Sequence, residues 1–233
     1  LVFIDPDKVE PKNVFRQNFS DAEAALGINQ AVSLAARYSS MWGGEIKAVP
    51  KTIGHAWNIY SDINVFIGCL DDSNNGRREL LDMVNRSSIA YAIDSGNALS
   101  YGQVLFGGKL PKKVLEEQQI YKYPGYVTHL PPPYVHAPEL LKEAAPSIID
   151  DETINQMSCA ELALINAQGL SINQMMTSIV LDYLNRLLVT QDLDKYATFV
   201  DLNSGSMRSE YTTKENVDGA IKKMIKMRMH LRQ

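Results

Sequence analysis

Cysteine is scarce, with only Cys69 and Cys159 in 233 residues. Two thiols cannot build a disulfide framework or a four-cysteine zinc site, so a reducing, cytoplasmic setting is the expectation. The four histidines, His55, His129, His136 and His230, lack the spacing of metal ligands. An excess of one charge is missing too: 23 Lys and Arg against 27 Asp and Glu give a formal net charge of −4. A chain so balanced is not built to coat nucleic acid. There is also no long apolar run. The longest uncharged stretch, Leu162 to Leu181, carries Asn166, Gln168, Ser171, Asn173, Gln174, Thr177 and Ser178. So many polar side chains fit a helix packed in protein and exclude one facing lipid, so no membrane partner is expected. Internal repeats and low-complexity segments do not occur.

What is present is an ordinary globular composition, 45% hydrophobic and 21% charged, read as a single domain over residues 1–233. Leu1-Val2-Phe3-Ile4, ending at Asp5, fits a strand buried on both faces. Ala25, Ile28, Ala31, Val32 and Ala35 recur at helical spacing and predict a helix over about 22–42. Strands are expected at Glu45–Val49, Val65–Cys69, Ile89–Ile93 and Gln103–Phe106, with a helix through Leu80, Leu81 and Val84. This alternation predicts a Rossmann-like α/β fold, an open and mostly parallel sheet with helices on both faces. Between about 109 and 157 the prolines Pro111, Pro124, Pro131, Pro132, Pro133, Pro138 and Pro146 predict a crossing loop or linker. A long helix through Leu188, a strand near Thr198–Leu202 and a basic helix over about 214–232 complete the chain.

Three places can carry chemistry. Asp5 and Asp7 follow the first strand, where a carboxylate in a nucleotide-binding fold accepts from ribose hydroxyls; a plain loop carboxylate is the other reading. Arg16 offers a fork for phosphate oxygens, Asn13 a hydrogen bond to phosphate or loop backbone, and a surface pair of Arg16 with Glu10 or Asp21 is the alternative. The second place is Cys69-Leu70-Asp71-Asp72, followed by Arg77 and Arg78. Its carboxylates could hold Mg²⁺ or simply start a helix, while Cys69 reads as a buried structural thiol. The third is Ser158-Cys159-Ala160-Glu161, whose S-x-x-E spacing is that of a capping box. Cys159 then stands at a helix start, where thiolate is favoured, or it seats the helix on the sheet.

Together these pieces resemble the ThiF/MoeB superfamily, the ubiquitin-activating-enzyme fold. Asp5-x-Asp7-x-Val9-x-x-x-Asn13-x-x-Arg16-Gln17 is similar to its D-x-D-x-V-x-x-x-N-x-x-R-Q motif, and the likeness runs on through Gly27, Cys69 to Asp71, Gly96 and Gly102-Gln103-Val104. Ile93-Asp94-Ser95-Gly96-Asn97, Ser158-Cys159-Ala160-Glu161, Ser171-Ile172-Asn173 and Phe199-Val200-Asp201-Leu202 resemble most the ThiF-family proteins of bacterial PRTRC systems. The resemblance implies an ATP- and Mg²⁺-dependent adenylyltransferase, homodimeric, that activates the C-terminal carboxylate of a ubiquitin-like or sulfur-carrier protein. It implies ribose binding by Asp5, triphosphate contacts from Asn13 and Arg16, and nucleotide-side positions for Asp7, Gln17 and Gln30. Asp71 would stand near Mg²⁺ and the incoming carboxylate, and Cys159 near where some relatives place a thioester cysteine. The family's first strand and glycine-rich loop would fall before Leu1 and are expected upstream. Gln30 stands where the family usually has lysine, which removes a phosphate contact and makes a non-catalytic nucleotide-binding scaffold the rival reading. Asp71 to Arg77 is one residue longer than in most relatives, so Asp72 is an alternative counterpart. A nicotinamide-dependent oxidoreductase shares the ribose-binding aspartate but gives Asn13, Arg16 and Gln17 no role.

Overall fold

The computed structural model describes residues 1–14, 17–56, 65–70, 76–87, 90–109, 130, 133–135, 137–141, 159–219 and 222, with backbone alone for 159–168. The chain divides into two compact units, one of residues 1–61 and 149–171 and the other of 62–148 and 172–233.

In the first unit, β1 (Val2–Ile4) pairs in parallel with β2 (Lys47–Val49), Phe3 opposite Ala48. The connection between them holds α1 (Pro11–Val14), α2 (Asp21–Leu26) and α3 (Gln30–Trp42). The helix expected over 22–42 is therefore two helices. Gly27 ends α2 with φ at 57°, a left-handed conformation that glycine adopts without strain, and Asn29 starts α3 by accepting the Val32 N–H at 3.1 Å. Ala31 and Ala35 turn inward from α3, which packs on both strands, and Val9, Phe19 and Val49 are buried with them. A short α4 (Ile53–Ala56) follows β2.

The second unit is built on a five-stranded sheet in the order β3 (Val65–Gly68), β4 (Tyr91–Asn97), β5 (Tyr101–Gly108), β6 (Lys195–Asp201), β7 (Ser206–Tyr211). β3 and β4 are parallel, joined through α5 (Gly76–Arg86), whose Leu80, Met83 and Val84 are buried. From β4 onward the pairing is antiparallel. At β4–β5 and β6–β7 the reason is local: residues 98–100 and 202–205 are connections too short for a crossover, so the chain must reverse there. The expected Rossmann-like α/β class holds, but where the sequence predicts a mostly parallel sheet the five-stranded sheet is mixed. Pairing is parallel at β1–β2 and β3–β4 and antiparallel between the other strands.

The long helix α6 (Cys159–Asn185) ends in a π turn at Arg186–Thr190. From its second-unit part, Ile172, Met176, Ile179, Val180 and Tyr183 enter a core with Val104, Leu105, Phe106 and Tyr196. The Tyr183 hydroxyl is hydrogen-bonded to Thr198 (2.8 Å), which meets Ser209 at 2.9 Å, so the one polar atom of that buried ring is satisfied. A last helix, α7, covers 214–219 and buries Val217. Among the described residues no helix is long and apolar enough to cross a membrane.

Candidate functional site

The loop after β1 is stitched to the start of α3. The Asp5 N–H donates to Val49 O at 3.1 Å, carrying the parallel ladder one residue past β1. Its Oδ1 accepts the Asp7 N–H at 2.8 Å, which turns the chain and holds the carboxylate at the carboxyl end of the strand. Asn29 then clasps the loop: Nδ2 donates to Asp5 O (2.8 Å) and Asp7 O (2.9 Å). The Gln30 N–H donates to Asp7 O at 2.9 Å, and Val9 N–H to Ile28 O at 2.7 Å. Asp5, Asp7 and Gln30 are thus brought together at one helix start, the end of a parallel sheet where such folds bind ligands. Gln30 does not extend its amide into the open. Its Nε2 donates to Lys8 O at 3.2 Å.

Asn13 is 8% exposed and serves its own loop, accepting the Glu10 N–H at 2.8 Å and donating to Gln17 Oε1 at 3.4 Å. An amide nitrogen carries two hydrogens, and the second has no partner among the described residues. Asn13 and Gln17 are therefore held together. Glu10 pairs with Lys12 at 2.8 Å. Arg16, between them in sequence, lies outside the described residues.

Sequence reasoning missed how α2 is anchored beside this loop. Glu23 completes a capping box with Ser20, whose N–H donates to it at 2.7 Å, and Arg37 of α3 grips both its oxygens at 2.6 and 2.8 Å. The Ser33 hydroxyl also donates to it. These donors, Ser33 first, outweigh partial burial and hold the Glu23 carboxyl at about 2.

In the second unit, the carboxyl end of β3 is set by a buried ion pair that spacing did not reveal. Arg77, the second residue of α5, donates from Nε to Asp94 Oδ2 of β4 at 2.9 Å and from Nη2 to Leu70 O at 2.7 Å. Two glycines leave it room. A Cβ at Gly68 would stand 2.8 Å from Asp94 Oδ1, and one at Gly96 2.6 Å from Arg77 Nη2. The expectation of a buried Cys69 is corrected, because Cys69 follows β3 with an exposed side chain. Neighbouring chain still strips water from one side of the sulfur, and the Asp94 charge adds to that, so the thiol titrates above its ordinary value. Asp71 and Asp72 lie outside the described residues. Among those described, no group of three His, Cys, Asp or Glu is placed to hold a metal. Cys159 is the first residue of α6, as the S-x-x-E spacing anticipates, while Ser158 and the Cys159 side chain lie outside the description.

The architecture is shared with solved proteins, some of them crystallised with nucleotide. They include E. coli MccB with ATP (TM-score 0.52, 15% identity, covering 93% of this chain and 57% of that one). MccB with AMPCPP and MccA aligns at 0.50 and 13%, covering 90% and 55%, and PaaA at 0.50 and 13%, covering 91% and 55%. The chain spans little more than half the length of these structures, and at such identities the likeness is one of fold. No family model matches the sequence, and no curated protein does.

Proposed function

We propose that this chain is a ThiF/MoeB-type adenylyltransferase that uses ATP to activate the C-terminal carboxylate of a ubiquitin-like or sulfur-carrier protein, within one adenylation domain and as a homodimer of the PRTRC type. The observation that carries the reading is the Asp5 carboxylate, held by its own Asx turn at the carboxyl end of a parallel strand and beside the start of α3. The fold shared with MccB, solved with ATP and with MccA, supports it.

In this reading Asp5 accepts from the ribose hydroxyls, with Asp7, Gln17 and Gln30 shaping the nucleotide side. Asn13 and the Arg16 guanidinium contact the triphosphate. The partner's carboxylate oxygen attacks the α-phosphorus, the bond to the bridging oxygen of the β-phosphate breaks, and pyrophosphate leaves with the negative charge that Arg16 steadies. Asp71 faces the incoming carboxylate. Magnesium, which the residue Asp71 would help to hold, supplies charge neutralisation of the phosphates. The Cys159 thiolate, favoured by the N-terminus of a 27-residue helix, then attacks the acyl carbon of the adenylate, releasing AMP and forming a thioester.

ATP–pyrophosphate exchange by the full-length protein with its candidate partner tests the first step. Asp5→Ala is expected to weaken ATP binding roughly tenfold or more, since it removes charge-assisted hydrogen bonds. A protein that binds partner and nucleotide but catalyses no exchange is instead a scaffold, the reading that the Gln30 amide, engaged with Lys8 O, favours. Cys159→Ala is expected to abolish any thiol-labile conjugate while leaving exchange intact. A conjugate that persists makes the residue structural.

A further inference from the structure

Among the described residues β7 is the outermost strand of its sheet, and what guards it against edge pairing is one charge of each sign, Arg208 and Glu210. It contains no proline and no lysine, and the register shift in its pairing falls on β6. The Tyr211 carbonyl turns away from β6, since it accepts from the Thr213 N–H at 2.8 Å and Asn216 Nδ2 at 3.0 Å. Antiparallel backbones alternate, so the N–H and C=O groups of Ser209 and Met207 turn outward as well.

The side chains of this edge complement themselves. Arg208 and Glu210 share one face, 3.3 Å apart, Arg208 lying over the Phe199 ring and Glu210 accepting from the Tyr196 hydroxyl. Met207 and Tyr211, 65% and 47% exposed, fall with Ser209 on the other face. We propose that β7 is the docking surface for a second copy of this chain, the two strands antiparallel about a two-fold axis at Ser209. That register sets Arg208 of each chain opposite Glu210 of the other, and Met207 opposite Tyr211, which is what an isologous contact requires. Reciprocal bonds join the Ser209 backbones, and each Tyr211 N–H meets the facing Met207 carbonyl. Arg208 and Glu210 then fall at a non-hydrogen-bonded pair, where facing side chains come closest. A shift of the axis by one residue sets Arg208 against Arg208, or Glu210 against Glu210, so charge selects a single register. The contact is small, and the dimer is correspondingly concentration-dependent.

Sedimentation equilibrium of the full chain over a wide concentration range tests the surface. Wild type is expected to associate reversibly to dimers, and Arg208→Glu or Glu210→Arg each to weaken association roughly tenfold or more with circular dichroism unchanged. An equimolar mixture of the two variants is expected to dimerise again, because one chain then offers two acids and the other two bases. A wild type monomeric at every concentration, as when residues 220–233 or another protein take the edge, overturns the proposal. So do single variants that dimerise as well as wild type, or a mixture that restores nothing. A dimer indifferent to these charges leaves the homodimer of the functional reading in place and removes only this surface.

Discussion

Taking Arg77 away would strip the Asp94 carboxylate of the guanidinium that faces it at a place water does not reach, since the two side chains are 6% and 0% exposed. Breaking a buried ion pair by removing one member is costly, and Arg77→Ala is expected to lose about 3–5 kcal/mol in urea unfolding. Replacing both partners together, Arg77→Met with Asp94→Leu, is expected to cost far less, because a buried pair gains little over well-packed apolar groups. The pair therefore contributes definition more than stability: it fixes the Leu70 carbonyl and the close passage of Gly68 and Gly96. Arg77 and Asp94 each border motifs visible in the sequence, but they meet across 17 positions, and no local pattern links them. Asp5, Asp7, Asn13 and Gln17 could be singled out because their spacing is fixed within one loop. The clasp by Asn29, more than twenty residues on, could not, since it depends on how α3 returns to β1.

At the level of elements, α2 presents an unusual case. None of its residues is buried, so its attachment is polar and centres on Glu23. The Glu23 carboxyl titrates at about 2 against an ordinary value near 4.5. A group with a lowered folded value stabilises fully above its unfolded value and loses that contribution as pH falls through the folded one. The stability difference between wild type and Glu23→Gln is therefore expected to be level above about pH 5 and to shrink between about 4.5 and 2, as followed by thermal unfolding across pH. A difference unchanged by acid would show that Glu23 acts through packing instead. Strands were legible as apolar runs, and β1, β3, β4 and β5 lie where those runs predict, although β1 is only half-buried and Ile67 of β3 is exposed, not buried on both faces. β7, Ser-Met-Arg-Ser-Glu-Tyr, was not legible, because an exposed edge carries no apolar alternation. The break at Gly27 was hidden for a related reason. The apolar positions of α2 and α3 stay in helical phase across it, and only the left-handed glycine followed by the Asn29 cap marks the stop.

On the scale of the whole molecule, the two units are interleaved along the chain. The first takes residues 1–61 and then 149–171, and the second takes 62–148 and then 172–233. β5 in the second unit finds its neighbour β6 almost ninety residues later, across the whole proline-rich stretch. Pairings that distant close large loops and form late, which slows folding relative to a chain of local contacts. The interleaving also bears on birth at the ribosome, where the N-terminal part of a protein ordinarily folds first. Here the first unit lacks its last piece until residue 171 has emerged, and the second until residues 172–233 follow. The nascent chain consequently carries two half-built bodies at once, each exposing the surface its later segment will cover, and this protein is a natural client for whatever shields such surfaces during translation.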